Sequence, residues 1–141
     1  MWGEKEFGCI GEKIVYDYLK NNAKYSDVKW VSAYATECGE NPFGSDGLGY
    51  DIEYNDGKRK KYVEVKTSIS GGNVILISPN EVKKGEELKD DYEIFIVRDV
   101  KSHPKIEIIK SPFKYPKGYS FNNNEKFEIE IKEYALRFEK E

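Results

Sequence analysis

Glutamine is absent from this chain of 141 residues, histidine occurs once, and cysteine occurs twice. The single histidine, His103, precedes a proline in a predicted turn, so we expect a solvated turn position and not a metal ligand. Cys9 and Cys38 belong to no Cys-x-x-Cys pair, so the sequence indicates neither a zinc site nor a disulfide framework. We expect both cysteines to be buried, reduced thiols of a cytoplasmic protein.

Long hydrophobic runs are also lacking. No run approaches the ~18 apolar residues of a membrane span, and residues 1–5 do not lead into the apolar core of a signal peptide. We therefore expect a soluble, cytoplasmic protein with no membrane contact. The net charge of -3 and the pI of about 5.4 argue against a protein that coats nucleic acid by bulk electrostatics. A low net charge is nevertheless compatible with a local basic patch beside an acidic pocket.

What the sequence does contain is 35% charged and 14% aromatic residues, the composition of a folded, highly charged domain. Its length predicts one domain over residues 1–141 with a real core. The predicted order of elements is helix 4–21, strand 28–34, hairpin 50–67, strand 74–77, helix 79–89, strands 92–98 and 105–110, an irregular arm over 111–124, strand 127–131 and helix 133–141. This order predicts an α/β or α+β fold, a mixed sheet flanked by helices.

A β-hairpin over residues 50–67 organises the prediction. The Asp-Gly pair at 56–57 favours a two-residue turn, and a four-residue loop over 55–58 would give the same register. Either arrangement pairs Asp51 with Tyr62. Because the side-chain period of a strand is two residues, this register decides which side chains share a face.

One predicted face of the hairpin carries Asp51, Glu64 and Lys66, and the other is apolar. The two carboxylates then occupy diagonal positions roughly 7–8 Å apart, within reach of one shared ion. Paired carboxylates bind hard cations such as Mg²⁺ or Mn²⁺. A neighbouring lysine orients the attacking water or stabilises charge that develops at phosphorus. The arrangement predicts metal-assisted phosphodiester hydrolysis.

The pattern Glu-x-Lys is weak by itself because it occurs four times, at 64–66, 81–83, 87–89 and 130–132. The second and third lie on a predicted helix, where residues two apart point to different sides. No Asp-bearing hairpin precedes the fourth. Only the first has an aspartate on the same face of a paired strand, and we expect the others to be solvated charges.

Two predicted helices carry further acidic candidates. Gly8 and Gly11 on the first helix indicate close packing against a neighbour. Glu12 lies beside the apolar stripe of that helix, where it can face the sheet edge or solvent; taken alone, it is an ordinary surface glutamate. The segment 78–81, Ser-Pro-Asn-Glu, is a complete capping box, so Glu81 has a structural role already, and a second, catalytic role is the less favoured alternative.

Two further sequence features point to the core and to a functional loop. Trp30 is expected to anchor the core from the strand over 28–34. Residues 36–49 form a long loop without periodicity, and loops of this length are often functional.

The chain resembles the PD-(D/E)XK nuclease superfamily and, within it, the NO VEIN C-terminal-like domain over roughly residues 5–110. The motifs that carry the resemblance are Gly11-Glu12, Gly49-Tyr50-Asp51-Ile52, Val63-Glu64-Val65-Lys66-Thr67, Ile77-Ser78-Pro79-Asn80-Glu81 and Tyr92-Glu93-Ile94-Phe95. Tyr50 stands where the name motif has proline. The resemblance implies a restriction-endonuclease-like fold, with a four-stranded mixed sheet and a helix on each side. Residues 111–141 show no correspondence, and we take them as a variable C-terminal extension.

Carried over by position, the resemblance makes Asp51 and Glu64 metal ligands, Lys66 the residue that serves the attacking water, and Glu12 an outer carboxylate. The implied function is a Mg²⁺- or Mn²⁺-dependent endonuclease that acts on DNA in restriction, defence or repair. The alternative is a catalytically silent module that binds DNA or docks a helicase or NTPase partner. A homodimer is open in either case.

Six basic residues are candidates for phosphate contacts. They lie at the hairpin tip and on the second predicted helix: Lys58, Arg59, Lys60, Lys61, Lys83 and Lys84. A solvated surface in a lysine-rich protein explains them equally well.

Overall fold

The computed structural model describes residues 4–68, 75–113, 119–120 and 126–127. Its helices are α1 (Glu4–Lys20), α2 (Ala33–Glu37) and α3 (Pro79–Leu88), and α3 runs into a 3-10 turn at Lys89–Asp91. Its strands are β1 (Ser26–Trp30), β2 (Ile52–Asn55), β3 (Lys60–Ser68), β4 (Tyr92–Arg98), β5 (Lys105–Lys110), β6 (Tyr119–Ser120) and β7 (Lys126–Phe127). Across these residues, no helix combines the length and the apolar character needed to cross a membrane.

Five strands form one mixed sheet in the order β1-β2-β3-β4-β5. The β3–β4 pair is parallel and the other three pairs are antiparallel. Strands β6 and β7 pair separately with each other. The predicted fold class, a mixed sheet flanked by helices, is confirmed, with five strands where the resemblance implied four.

The larger core lies between α1 and one face of the sheet. It includes Val15 and Leu19 of α1, Trp30 of β1, and Val63 and Phe95 from the middle strands. The alternation of apolar residues along β3 and the 3.6-residue period of α1 bring these side chains together. Trp30 is a core anchor, as predicted.

Close packing of α1 on its neighbours, strand β3 and helix α2, explains its glycines. A Cβ added at Gly11 would collide with Oγ1 of Thr67 on β3, and one at Gly8 would lie 2.9 Å from the hydroxyl of Tyr34. The loss of helix propensity at each glycine is therefore offset by a closer approach of the helix. This confirms the packing expected from the sequence.

The opposite face of the sheet packs against α3 and the segment before it. Its buried residues are Tyr92, Ile94, Ile96 and Ile109. Because both faces of β4 are covered, six of its seven residues are buried. The capping box that begins α3 at Ser78 is present as predicted.

The register of the β2–β3 hairpin differs from the prediction by two residues. Asn55 pairs with Lys60 and Ile52 pairs with Val63, so the predicted pairing of Asp51 with Tyr62 is wrong. The turn centres on Gly57-Lys58 because the Asp56 carboxylate accepts the N–H of Arg59 at 2.9 Å, while the Asp56 N–H donates to the Arg59 carbonyl. Gly57 has the positive φ, 98°, that suits the first central position of such a turn.

A two-residue shift preserves the faces of the strands. Ile52 still lies on the side of Val63, and Glu64 and Lys66 still lie on the other. The predicted composition of each face therefore survives an incorrect register.

Other boundaries also need correction. The strand predicted over 28–34 ends at Trp30, because Ser32 caps α2. The strand predicted over 74–77 is not formed in its described part, 75–77, where the chain has no strand partner and Leu76 is 66% exposed. Apart from Phe127, which ends β7, the predicted strand 127–131 and helix 133–141 lie outside the described residues.

Cys9 and Cys38 are joined in a disulfide, so the prediction of two reduced thiols is wrong. Their separation of 29 residues gives no spacing signal. The contact arises because α2 packs on α1 and ends at Cys38. Only the tertiary fold brings the two sulfurs together.

Candidate functional site

A cavity of about 710 Å³, here named the acidic cavity, opens where the end of β3 meets α1 and the start of α3. Its charged lining residues are Glu12, Asp46, Asp51, Glu64, Lys66 and Glu81. The structure therefore brings the three predicted carboxylates and the predicted lysine to one place. It adds Glu81 and Asp46, to which the sequence analysis gave no such role.

The turn at Gly49 delivers the chain to this cavity. Gly49 has a φ of 83°, and a Cβ there would lie 2.8 Å from the Cβ of Lys84 on α3. Glycine is the residue that accepts both the dihedral and the close approach. The hydroxyl of Tyr92 donates to the Gly49 carbonyl at 2.9 Å, in a buried hydrogen bond that fixes the turn to β4.

Asp51 follows this turn, immediately before β2. Its N–H donates to the Val63 carbonyl at 2.7 Å, and its Oδ2 accepts the N–H of Val65 at 2.8 Å. These two bonds to β3 hold both the backbone and the carboxylate. Burial raises the pKa of Asp51 to about 7 even though the Val65 bond and Lys66 oppose the shift.

Glu64 points from β3 into the same cavity and is only 5% exposed. Its pKa lies well above the ordinary value, first because of burial and then because of repulsion by Asp51. A pair of carboxyl groups in one poorly solvated place resists double ionisation. A bound cation would stabilise the doubly ionised form of such a pair, because it offsets the repulsion between the two carboxylates.

The Lys66 ammonium lies between two glutamates. Its Nζ is 2.7 Å from Oε1 of Glu81 and 3.4 Å from Oε2 of Glu64. Burial alone would lower the pKa of Lys66, but the two carboxylates outweigh it and raise that pKa. Lys66 is therefore a cation at neutral pH and acts as a charge and hydrogen-bond donor.

Glu81 has two functions in the structure. Its Oε1 accepts the N–H of Ser78 at 2.9 Å, which closes the capping box, and also accepts Lys66 Nζ. Burial would raise the pKa of Glu81, but Lys66 outweighs this effect and lowers it. The sequence signal that could have found this role is positional: the N3 side chain of a capping box reaches back past the helix start, which here faces the end of β3.

Glu12 is buried, with 5% exposure, so its interpretation as an ordinary surface glutamate is wrong. Its Oε1 accepts hydrogen bonds from Trp30 Nε1 at 2.8 Å and from the hydroxyl of Ser32. Burial and the charge of Asp51 raise its pKa to about 8. Sequence reasoning missed Trp30 and Ser32 as partners because both belong to a strand end and a helix cap far away along the chain.

The donor chemistry of the acidic cavity fits a hard divalent cation held by two carboxylates. Asp51 and Glu64 supply oxygen ligands of the kind that Mg²⁺ and Mn²⁺ prefer, and a cation bound this way keeps several waters. Among the residues that the structure describes, no three aspartate, glutamate, histidine or cysteine side chains form a ready-made metal group. The third predicted ligand, Glu12, lines the cavity with one oxygen engaged by Trp30 and Ser32.

The basic residues of the hairpin tip are not brought to the cavity. Strand β2 begins beside Asp51, and the tip lies at its other end. Three of the four tip charges also have acidic partners: Arg59 with Asp91 at 2.9 Å, Lys60 with Glu53 at 3.0 Å, and Lys61 with Asp91 at 3.8 Å. Lys83 and Lys84 instead border a second cavity next to the first.

A mixed sheet between two helices, with buried carboxylates and a lysine gathered at one end, defines an α+β domain with a candidate acidic active site. The family described as Protein NO VEIN, C-terminal, matches residues 11–109, and the chain belongs to that family. The matched residues include the whole cluster of Glu12, Asp51, Glu64, Lys66 and Glu81. Neither the curated proteins nor the solved structures contain a match to this chain.

Proposed function

We propose that this chain is a metal-dependent nuclease of the PD-(D/E)XK type that hydrolyses DNA phosphodiesters, in restriction, defence or repair. One observation carries the proposal. Asp51, Glu64 and Lys66 converge in one cavity, although they come from the start of one strand and the middle of another. Strongly perturbed carboxyl groups gathered in a cleft are characteristic of functional sites.

In this proposal Asp51 and Glu64 hold Mg²⁺ or Mn²⁺. Bound there, the ion would lower the pKa of a water ligand and supply positive charge to the phosphoryl group. The Lys66 ammonium, next to Glu64, orients the attacking water and stabilises negative charge at phosphorus. Glu81 fixes the position of Lys66 through the 2.7 Å contact, and is thus a positioning residue.

The test is calorimetric titration of Mg²⁺ and Mn²⁺ into the wild type, Glu64→Gln and Lys66→Met, with plasmid nicking measured beside each. We expect metal binding to be lost in Glu64→Gln and nicking to be lost in both variants. Glu93→Gln is the matched control, because Glu93 is also a buried glutamate but lies on the other face of the sheet. A wild type that binds metal and cuts RNA but not DNA would correct the substrate and leave the chemistry in place.

A second function is favoured by one observation. Lys66 already pairs with Glu64 and Glu81, and the described residues offer no complete metal group. A lysine that satisfies these charges permanently suits a silent module that docks a helicase or NTPase. The hypothesis of a silent module predicts that the wild type neither binds metal nor nicks the plasmid, and that Glu64→Gln leaves binding to the helicase or NTPase partner unaffected.

A further inference from the structure

A second cavity of about 210 Å³ adjoins the acidic cavity and has a different charge. We name it the lysine cavity. Its lining includes Lys83 and Lys84 on α3, Glu87 one turn further on, and Leu48 from the loop. Where the first cavity gathers carboxylates, this one presents two ammonium groups and one carboxylate.

The two cavities are neighbours. Tyr50 and Asn80 line both of them. The Asn80 amide donates to the Gly47 carbonyl at 3.2 Å, which ties the loop to α3 at the boundary. The two cavities therefore lie side by side, within reach of neighbouring phosphates of one strand.

A polyanion next to the acidic cavity needs a compensating cation. Among the residues that line the two cavities, the lysines are Lys66, Lys83 and Lys84. Lys66 is engaged by two glutamates, and Lys84 is 3.2 Å from Glu87, which is half exposed. Lys83 is exposed on the same turn of α3. Among the lysines that line the two cavities, those of the lysine cavity are therefore the least neutralised by carboxylates.

We infer that the lysine cavity binds the phosphodiester that neighbours the scissile one on the same strand, with Lys83 and Lys84 as its contacts. The inference rests on the proposed nuclease function, since it assigns the path of the substrate that the acidic cavity cuts. Phosphate contacts of this kind position a strand without reading its sequence. Glu87 moderates the contact by competing for Lys84.

The experiment measures binding of the full chain to a fluorescein-labelled 20-nucleotide DNA, single-stranded and duplex, in EDTA so that no cleavage occurs. The dissociation constant is recorded between 50 and 200 mM salt. Each lysine that contacts a phosphate contributes roughly 0.7–0.9 to the slope of log K against log salt. We expect Lys83→Gln and Lys84→Gln each to lower the slope by about that amount. The control is Lys24→Gln, which should leave the slope unchanged because Lys24 is exposed and lines neither cavity.

Glu87→Gln provides a test of opposite sign. It frees Lys84, so we expect tighter DNA binding at low salt, in contrast to the weaker binding of Lys84→Gln. Equal slopes for wild type, Lys83→Gln and Lys84→Gln would overturn the inference, as would an equally large fall in the slope of Lys24→Gln. Plasmid nicking by the wild type is recorded in parallel. If the wild type nicks the plasmid but the slopes are unchanged, only the phosphate contact inferred for the lysine cavity is refuted. If the wild type does not nick the plasmid, the proposed nuclease function is refuted.

Discussion

Glu64 and Glu93 are buried glutamates on neighbouring strands of one sheet, and they point to opposite faces. Glu93 pairs in register with Val63, so it lies on the α1 face, whereas Glu64 faces the acidic cavity. Both are almost inaccessible, at 5% and 2% exposure respectively. In each case burial is the first cause of a raised pKa.

Their partners are what separates them. Glu93 accepts a hydrogen bond from the Tyr54 hydroxyl, a neutral group that belongs to the core. Glu64 has a carboxylate neighbour in Asp51 and an ammonium in Lys66, beside a cavity open to ligands. Burial alone therefore does not mark a functional carboxylate. What distinguishes Glu64 is a second carboxylate, Asp51, in the same poorly solvated place, together with its position in the lining of a cavity.

The largest expected effect is a difference in plasmid nicking between variants of the two glutamates. If the proposed nuclease function holds, Glu64→Gln removes a metal ligand and should reduce nicking by roughly 100-fold or more, the scale of losing one preorganised electrostatic contact. Glu93→Gln should stay within about threefold of the wild type, because Glu93 lies on the other face of the sheet and does not line the cavity. Plasmid nicking at saturating Mg²⁺ measures both. Equal losses in the two variants would show that burial, not the cavity, explains the effect.

The second effect concerns stability on the cavity side. Lys66→Met leaves Glu64 and Glu81 without their cation, and we expect a loss of about 2 kcal/mol in the free energy of unfolding. Lys58→Met at the exposed hairpin tip should change it by less than about 0.5 kcal/mol. Urea denaturation of the three proteins gives the comparison. If Lys66→Met is as stable as the control, the ion pairs seen here contribute nothing to folding.

A smaller effect is expected where α1 meets β3. Gly11→Ala places a Cβ against Thr67, and we expect a net loss of about 1 kcal/mol after the gain in helix propensity. Gly47→Ala is the matched control, because its Cβ would meet only Ser45 Oγ at 3.9 Å. Thermal unfolding of both variants measures the difference. A Gly11→Ala protein more stable than the wild type would mean that the helix shifts without cost.

The smallest effect is the pH dependence that Glu93 contributes. The folded-state pKa of Glu93 lies above its ordinary value of 4.5, so between these two values the folded state binds more protons than the unfolded chain. Its contribution to the free energy of unfolding therefore falls as pH rises through that window. Glu93→Gln removes this term, and the difference in stability between pH 5 and pH 7 should be smaller in the variant. Parallel slopes for both proteins would show that Glu93 titrates normally.

Much of the fold could be predicted because local patterns agreed with it. The apolar stripe of α1, the capping box at Ser78 and the doubly buried β4 each appear in the sequence with their structural causes. The predicted hairpin register was wrong because the Asp56 carboxylate accepts backbone hydrogen bonds within the turn, which moves the turn by one position along the chain. The residues at 75–77 are apolar enough for a strand, but pairing is a tertiary property and no partner strand is present for them in the described chain.

Only the part of the site that follows from the two-residue side-chain period of the strands could be predicted. Alternation placed Glu64 and Lys66 on one face, and the turn signal brought Asp51 to the same side. Glu12 entered the prediction only through the family resemblance, and Glu81 only as a capping residue, because their place in the site depends on the packing of two helices against the sheet. The disulfide between Cys9 and Cys38 has the same origin, since its two ends meet through the contact of α1 with α2.

That disulfide also gives the chain a closed loop. The covalent ring from residue 9 to residue 38 contains Glu12 and both of its hydrogen-bond donors, Trp30 and Ser32. It also contains Lys24, which is exposed in the turn between α1 and β1. A protease that cuts after Lys24 therefore opens the ring without releasing either piece. The nicked protein should migrate as one species without a reductant and as two with it, while Glu12 and its partners stay on one molecule.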